Sequence, residues 1–300
     1  MITVTGATGL IGSHLLKQLT AYHTVVRALR RTGARPRISL EREPHWIDGS
    51  LSDLGENDFT GTDCLIHLAA HGVDQATATW DDCFRCNVME SIALWRHAAK
   101  AGVKNFVICG SCFEYGETGE SSEYISVDSV LRPTGPYGAS KAAATMAACA
   151  FASSQEVKVW VLRPFHIYGD GESAQRLFPQ IITSARHGGI LDLTEGRQIR
   201  DFLNVADAAK LIHGYALLLQ REERIPFFRI SNLGTGNPVA LRDFALKVWE
   251  ANGGKGRLQF GAIPYRNAEV MRYVPEIDNA EQGAATDAVA SLAKVDPVPP

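Results

Sequence analysis

A short glycine-rich segment near the start of the chain constrains the fold more than any other feature. The letters TGATGLIG place Gly6, Gly9 and Gly12 three residues apart. They follow a strand candidate at residues 2–5 and open a helix predicted for residues 10–19. In such a strand–turn–helix unit the first glycine permits a tight turn and the second lets the backbone approach a pyrophosphate. The third lets helix and strand pack closely.

The turn predicts a dinucleotide site, because the N–H groups and the positive dipole end of the helix would face the phosphates. An ordinary glycine-rich turn is the alternative, and the strand–turn–helix context argues against it. A nucleoside-triphosphate loop is disfavoured because no Gly-Lys-Ser/Thr sequence follows. The residues expected to contact the cofactor here are Gly6, Thr8, Gly9, Leu10, Ile11 and Gly12.

Short apolar runs alternate with helical stretches through the first half of the chain. Further strands are predicted at residues 24–29, 64–68, 105–109 and 157–162, and long helices at residues 80–101 and 137–152. Strands separated by helices of this length predict an α/β fold, namely a Rossmann-type doubly wound parallel sheet covered on both faces.

The pattern loosens after residue 163, where glycine and proline become frequent and longer irregular segments join the predicted helices. We therefore predict that residues 1–165 form a dinucleotide-binding Rossmann domain, to which a segment near residues 203–232 returns. Residues 166–202 and 233–290 are expected to form a smaller substrate-binding lobe. The last residues, 291–300, are expected to be a flexible tail.

Composition excludes several classes of protein. The 300 residues are 45% apolar and 21% charged, which is ordinary for a globular chain and excludes disordered or fibrous architectures. A net charge of −3 argues against a nucleic-acid partner, and no apolar run reaches the roughly 18 residues of a membrane span. No basic stretch precedes the first apolar residues, and the six cysteines are scattered. These features predict a cytoplasmic protein with reduced thiols.

The residues about 20 positions after the glycine turn predict which dinucleotide binds. At this place an acid accepts a hydrogen bond from the 2′-hydroxyl of NAD, whereas an arginine suits the 2′-phosphate of NADP. Here Arg30 and Arg31 end the strand, with Arg35 and Arg37 close behind and no carboxylate among them. The sequence therefore predicts NADP(H), with a solvated basic loop as the alternative.

A tyrosine and a lysine stand four residues apart in the sequence YGASK. On a helix, Tyr137 and Lys141 share one face. A free tyrosine is a poor acid–base group at neutral pH, and a nearby ammonium is expected to lower its pKa. The pair could then exchange a proton with a sugar oxygen while hydride moves. The spacing is common by chance, so a helix-surface pair is the alternative.

Seven motifs occur in a recognisable order: GATGLIG at 6–12, HLAA at 67–70, GSCFEYG at 110–116, YGASK at 137–141, LRPFHIYG at 162–169, RDFLNVAD at 200–207 and NLGTG at 232–236. With them the chain resembles the extended short-chain dehydrogenase/reductase superfamily, in its sugar-nucleotide epimerase/dehydratase/reductase branch. The resemblance runs from residue 1 to about residue 274. It is specific for fold and superfamily and much less specific for the substrate.

The resemblance implies a catalytic set of three residues. Ser111 would hydrogen-bond the reacting sugar oxygen, Tyr137 would be the acid–base residue, and Lys141 would bind the nicotinamide ribose and tune the tyrosine. Besides the glycine turn and Tyr137 and Lys141, the residues expected along the cofactor are Arg30, Arg31, Ser50, Leu51, Leu68, Ala69, Ala70 and Pro164.

The resemblance also implies a nucleotide-diphosphate sugar as substrate. Arg200 matches an arginine that usually holds the substrate diphosphate, which suits its forked donors, and Arg266 is a looser match to a second one. A surface ion pair with Asp201 and a solvated loop charge are the respective alternatives. Further substrate contacts are expected at Ser111, Cys112, Phe113 and His166.

Three positions depart from the family pattern. Cys112 and Phe113 stand where dehydratases carry an Asp-Glu pair, so 4,6-dehydration is not predicted. His166 replaces the usual asparagine and would contact the substrate phosphate or sugar, or simply pack. Cys112 could act as an acid near the sugar, as a cysteine does in some double-epimerising reductases of the superfamily, although a buried inert thiol is the simpler interpretation.

No metal site is predicted. Cys83 and Cys86 have a metal-like spacing, but no second Cys or His pair follows at zinc spacing. The helices predicted at 80–101 and 137–152 are apolar enough to bury more than one face. Family members commonly dimerise through these two helices, so a homodimer is expected, with packing against the sheet alone as the alternative.

Four functions are compatible with these features. The first is NADPH-dependent reduction of the 4-keto group of a nucleotide-linked 4-keto-6-deoxysugar. The second is an NAD-dependent nucleotide-sugar 4-epimerase. A dinucleotide-sensing regulator is disfavoured, because Tyr137 and Lys141 are both present. A reductase of a non-nucleotide carbonyl compound stays open, because no rule decodes the lobe that sets specificity.

Overall fold

A computed structural model of the protein describes residues 1–74, 77–221, 226–266 and 269–292. Its strands, numbered in chain order, are β1 Ile2–Thr5, β2 Val26–Arg30, β3 His45–Asp48, β4 Cys64–His67, β5 Asn105–Cys109, β6 Lys158–Pro164, β7 His166–Tyr168, β8 Ile190–Leu193, β9 Ile199–Arg200, β10 Phe202–Asn204, β11 Phe228–Leu233, β12 Val239–Ala240, β13 Arg257–Phe260 and β14 Arg272–Tyr273. Its α-helices are α1 Leu10–Ala21, α2 Trp80–Phe84, α3 Ser91–Lys100, α4 Pro136–Gln155, α5 Leu177–His187, α6 Val205–Arg221, α7 Leu241–Ala251 and α8 Asn279–Leu292.

Seven strands form one parallel sheet in the order β11-β6-β5-β4-β1-β2-β3. The predicted α/β fold with a doubly wound parallel sheet is confirmed. From β1 the chain first adds strands on one side, β2 and β3, and then on the other, β4 and β5. Connections therefore leave β1 and β4 in opposite directions, and a crevice opens at the carboxyl ends of these two strands, where ligands bind in sheets of this type.

Two hydrophobic layers cover the sheet. On one face α1 and α6 pack together, and α8 packs on α6, around buried leucines such as Leu15 and Leu16. On the other face α3 and α4 bury Trp95 and Phe151 against strand residues such as Phe106. A π-helical turn, Arg85–Glu90, joins α2 to α3, so the long helix predicted at 80–101 is present with one irregular turn in its middle.

The remaining strands form small sheets beside the carboxyl edge of the main sheet. β7 pairs with β10, β9 pairs with β12 and β14, and β8 pairs with β13 around a separate core. Between them α6 and β11 return the chain to the main sheet. None of the helices in the described residues is both long and apolar enough to span a membrane.

The end of the chain differs from the expected tail at residues 291–300. Ser291 and Leu292 are the last two residues of α8, and the Ser291 hydroxyl donates to the carbonyl of Ala288. The helix continues because Ala285, Ala288 and Val289 bury one of its faces. The rest of the expected tail, residues 293–300, lies outside the described residues.

Candidate active site

The glycine turn at the carboxyl end of β1 is too tightly packed to admit side chains at two of its three glycines. Gly6 has a φ of +68°, and a Cβ there would lie 2.5 Å from the backbone nitrogen of Ala69. A Cβ on Gly12 would lie 2.2 Å from the carbonyl oxygen of Gly6. Both clashes are with backbone, which cannot move aside cheaply. A Cβ on Gly9 would meet only that same oxygen, at 3.1 Å.

Helix α1 begins directly after Gly9 and presents free backbone donors. The N–H groups of Leu10, Ile11 and Gly12 have no hydrogen-bond partner within the described ranges, and the first helical bond runs from the N–H of Ser13 to the carbonyl of Gly9, at 2.9 Å. Such free N–H groups, together with the helix dipole, favour a bound phosphate. The turn therefore fits the pyrophosphate of a nicotinamide dinucleotide.

The other residues predicted to contact the cofactor lie at the same edge of the sheet. Leu68, Ala69 and Ala70 directly follow β4, and the N–H of Leu68 donates to the carbonyl of Thr5 at 3.1 Å. These residues therefore border the crevice next to the glycine turn. The residues at the ends of the neighbouring strands are Arg30, Arg31, Ser50, Leu51 and Pro164, together with Thr8 in the turn itself.

The end of β2, where the sequence predicts the contact with the adenosine ribose, carries an ion pair that the sequence analysis did not predict. Arg30, the last residue of β2, donates from Nε to Oδ1 of Asp48 at 2.8 Å and from Nη2 to Oδ2 at 3.3 Å. The guanidinium also lies 4.7 Å from the ring centroid of Trp46. Because β2 and β3 are paired with Arg30 opposite Asp48, an acid does reach this place, from the neighbouring strand.

Ser111 and Tyr137 meet where β5 ends and α4 begins. The Ser111 hydroxyl interacts with the phenol of Tyr137, and both residues are buried. Close backbone contacts fix this arrangement. A Cβ on Gly138 would lie 2.4 Å from the carbonyl oxygen of Phe113, and one on Gly72 would lie 3.6 Å from Cβ of Tyr137. Tyr137 therefore lies between the Ser111 loop and the loop that follows β4.

Lys141 was expected to lower the pKa of Tyr137, whereas the pKa of this tyrosine is raised in the structure. Lys141 is buried one turn along α4, and its ammonium donates to the carbonyl of Cys109 at the end of β5. Burial raises the pKa of Tyr137, because desolvation disfavours the phenolate, and the neighbouring Ser111 hydroxyl acts in the opposite direction without overcoming this effect.

A buried asparagine that the sequence analysis did not single out ties the two sides of the site together. Asn87 lies in the π-helical turn, and its Oδ1 accepts from the N–H of His71 at 2.7 Å. Its Nδ2 donates to the carbonyl of His71 and to the hydroxyl of Ser140, both at 2.9 Å. The loop after β4 is therefore held against the helix that carries Tyr137.

An aromatic wall adjoins Tyr137. We define it by Phe113, His166 and Tyr273, whose ring centroids lie 6.0 to 6.4 Å from one another. Phe113 also lies 6.2 Å from the ring of Tyr137. Nδ1 of His166 is buried without a hydrogen-bond partner, and burial lowers the pKa of this imidazole, which keeps it neutral.

Cys112 and the two predicted diphosphate arginines have different surroundings. Burial raises the pKa of Cys112 to about 12, so its thiol is not an acid at neutral pH. Arg200 is buried, with Nη2 donating to Glu269 at 2.8 Å and to the carbonyl of Val270 at 2.7 Å. Asp201, suggested as its partner, instead accepts hydrogen bonds from Thr235.

Arg266 is exposed on the surface. Its carbonyl accepts a hydrogen bond from the N–H of Glu269 at 3.2 Å, so its backbone borders the loop that pairs with Arg200. Within the described residues, no group of three or more His, Cys, Asp or Glu side chains could hold a metal ion. Cys83 and Cys86 are free thiols.

Comparison with known proteins identifies a family for this site. The NAD dependent epimerase/dehydratase family matches residues 2–234. The CDP-abequose synthase of Salmonella typhimurium is 25% identical over 278 residues, which cover 90% of this chain and 87% of the relative. The UDP-glucose 4-epimerase of Haemophilus influenzae is 28% identical over 84% of this chain and 82% of its own length. The structure of MoeE5 in complex with UDP-glucose and NAD is 27% identical, with a TM-score of 0.73, and covers 98% of this chain and 99% of that one.

Proposed function

Because the chain belongs to the NAD-dependent epimerase/dehydratase family, we propose that it is an NADPH-dependent reductase of the 4-keto group of a nucleotide-linked 4-keto-6-deoxysugar. The arrangement that carries the proposal is Tyr137 beside Ser111, with no carboxyl group at the two positions that follow the serine. The nucleotide-sugar relatives and the buried Arg200 beside the aromatic wall support the proposed substrate class.

The residues of the site have separate tasks in this reaction. When bound, the reduced dinucleotide supplies the hydride that adds to carbon 4 of the sugar. Tyr137 gives its proton to the oxygen that becomes the 4-hydroxyl, and Ser111 donates a hydrogen bond to the same oxygen as negative charge develops on it. In the proposed reaction Lys141 binds the nicotinamide ribose, and Arg200 holds the diphosphate, for which its forked donors are suited.

The residues after Ser111 argue against dehydration. Cys112 and Phe113 carry no carboxyl group, and the next residue, Glu114, is fully buried in an ion pair with Arg163. Glu114 therefore cannot turn to the substrate and replace the missing acid without leaving a buried guanidinium unpaired.

A direct assay tests the proposal. Purified protein is incubated with NADPH and a panel of nucleotide-linked 4-keto-6-deoxysugars, and the loss of NADPH absorbance and the stereochemistry of the product are followed. We expect consumption of NADPH with at least one of these ketones and a loss of about 100-fold or more in Tyr137→Phe, with dinucleotide binding retained. The absence of NADPH consumption with every ketone would overturn the proposal.

A nucleotide-sugar 4-epimerase is the second candidate, because the UDP-glucose 4-epimerase of Haemophilus influenzae is as similar as the other relatives. Such an enzyme would retain NAD and oxidise and reduce the same carbon. Purified protein that carries tightly bound NAD and interconverts UDP-glucose and UDP-galactose without added cofactor would favour it.

We also propose that the protein is a cytoplasmic homodimer. Large apolar side chains are exposed on both segments. They are Trp80 and Met89 on the segment from α2 to α3, at 59% and 67%, and Met146 on α4, at 65%. Three large apolar side chains on the two helices expected to form the interface support pairing with a second copy. Light scattering should give about twice the chain mass for the natural protein and the chain mass for Met146→Asp.

A further inference from the structure

Glu114 is a buried carboxylate that the proposed reaction does not use. It stands three residues after Ser111, and its side chain is 0% exposed. One oxygen, Oε2, accepts from Nε of Arg163 at 2.8 Å, and the other, Oε1, accepts from the backbone N–H of Ser111 at 2.9 Å. A single carboxylate thus joins an arginine on β6 to the backbone of the residue that would hold the sugar oxygen.

The ion pair is built into the surrounding backbone. Position 110 has room only for glycine, because a Cβ there would lie 2.6 Å from Oε1 of Glu114 and 3.0 Å from Cγ of Arg163. The guanidinium of Arg163 stacks 4.7 Å above the ring of Tyr115 and donates to its hydroxyl at 2.9 Å. That hydroxyl donates to Oδ1 of Asn232 on β11 at 2.7 Å. The carboxylate is therefore anchored to two strands of the main sheet.

The charges around Glu114 explain how a carboxylate persists there. Burial raises the pKa of Glu114, and the cations of Arg163 and Lys141 oppose that effect. A charged acceptor makes a shorter and stronger hydrogen bond to a backbone N–H than a neutral one does. The N–H of Ser111 is thus held more firmly than an ordinary loop amide.

We propose that Glu114 is a positioning residue, whose carboxylate fixes the backbone of Ser111 so that the hydroxyl stays directed at the reacting oxygen beside Tyr137. Ser111 is extended, with φ −162° and ψ 145°, and its hydroxyl also accepts from the N–H of Phe113 at 3.2 Å. Rotation about the Ser111 backbone would carry the hydroxyl away from Tyr137, and the bond to Glu114 opposes that rotation. The inference rests on the proposed function only for the role of Ser111.

Three variants distinguish a positioning role of Glu114 from a contribution to the stability of the fold. Glu114→Gln keeps an acceptor oxygen but removes the charge. The double variant Glu114→Leu with Arg163→Met removes both charges, so that no buried ion is left unpaired, and such replacements often keep a protein folded. The control is Glu281→Gln, which weakens a partly exposed ion pair with Arg229 of β11. Thermal unfolding is recorded for all three.

In the reductase assay we expect kcat to fall about 100-fold in the double variant, because a displacement of about 1 Å at a catalytic group costs a factor of that order. The kcat of Glu114→Gln should fall less than that of the double variant. In both variants the KM for the sugar should stay within about 2-fold of the natural value. In a Ser111→Ala background, Glu114→Gln should cause no further loss of kcat, since the two residues act as one unit. The control variant should keep its full kcat.

Amide hydrogen exchange at Ser111 provides a readout that needs no turnover. We expect exchange about 10- to 100-fold faster in the double variant than in the natural protein, and unchanged in Glu281→Gln. Natural protein that reduces no ketone while this exchange difference is present would overturn the proposed function and leave the positioning role standing. A folded double variant with normal exchange at Ser111, or with full kcat, would overturn the positioning role itself.

Discussion

Replacing Asp48 by asparagine tests the proposed use of NADPH and the role of Arg30 in it. Two donors of Arg30 are bonded to Asp48, at 2.8 and 3.3 Å, and Nη1 has no hydrogen-bond partner within the described ranges. The two side chains remain 26% and 44% exposed, so water screens the pair and its rearrangement is cheap. A 2′-phosphate could bind to the free Nη1 of Arg30. The carboxylate of Asp48, on the other side of the guanidinium, would still repel this phosphate, because both groups are negative.

The size of that repulsion follows from the geometry. A phosphate across the guanidinium from Asp48 would lie two contact distances, about 5–6 Å, from its carboxylate. For a phosphate charge of about −1.5 to −2, the repulsion is about 1.3 kcal/mol in water, and about half of that at physiological salt. Asparagine keeps an oxygen for Arg30 without the charge. We therefore expect the ratio of kcat/KM for NADPH to that for NADH to rise about 3- to 9-fold in Asp48→Asn.

The assay is steady-state reduction with each dinucleotide at low and high salt. The gain should shrink at high salt, because the repulsion is screened. Arg30→Ala should lower kcat/KM for NADPH and leave that for NADH nearly unchanged. Asp63→Asn, at an acid bonded to the N-terminus, is the control and should leave the ratio as it is. A ratio that stays the same or falls in Asp48→Asn would refute the reasoning, because Arg30 would then not contact the 2′ position.

Three further predictions concern the substrate, the turn and acid stability. Arg200→Leu should raise KM for a nucleotide-diphosphate sugar about 10- to 100-fold, with little effect on a small neutral ketone, as steady-state kinetics would reveal. Gly12→Ala should abolish dinucleotide binding and lower the free energy of unfolding by about 1–3 kcal/mol, whereas Gly283→Ala, where a Cβ meets nothing within 4 Å, should not destabilise. Burial lowers the pKa of His213 to about 4, so the unfolded chain takes up the proton first as pH falls below about 6.5, and denaturant titration should find about 2 kcal/mol less stability at pH 5 than at pH 7 from this group. His213→Phe should remove that part of the loss, and an unchanged pH dependence would contradict the assignment.

The sheet could be predicted from the sequence because its strands are apolar on both faces. Runs such as those at β1 and β5 stand out, and the glycine turn marks where the first helix begins. Strand β3 was not predicted, since it lies at the sheet edge and none of its residues is fully buried. Helix α8 was also missed, because its alanine-rich sequence has only three buried residues and a weak apolar face.

Residues of the site could be predicted from the sequence where they lie close together in one motif. Contacts between residues from distant segments could not be predicted. Tyr137 and Lys141 share a helix, so their proximity follows from spacing alone. The contact between Arg200 and Glu269 joins residues 69 positions apart, and no local pattern reveals it. The ion pair between Glu114 and Arg163 was missed for the same reason. A charged residue inside each of two otherwise apolar motifs is, however, a signal that could have suggested the pair.

The packing of the aromatic wall bears on whether hydride is transferred once or twice. A 4-epimerase must let the keto sugar turn over between two hydride transfers, whereas a reductase needs it in one pose. Phe113 contacts Tyr137, His166 and Tyr273 at once, so it cannot swing aside without giving up three ring contacts. Ring contacts of this kind are worth about 0.5–1.5 kcal/mol each beyond the area they bury. In the proposed reaction the sugar binds against this wall beside Tyr137, and a wall held by three ring contacts would oppose its turning over, which agrees with the proposed single reduction rather than with epimerisation.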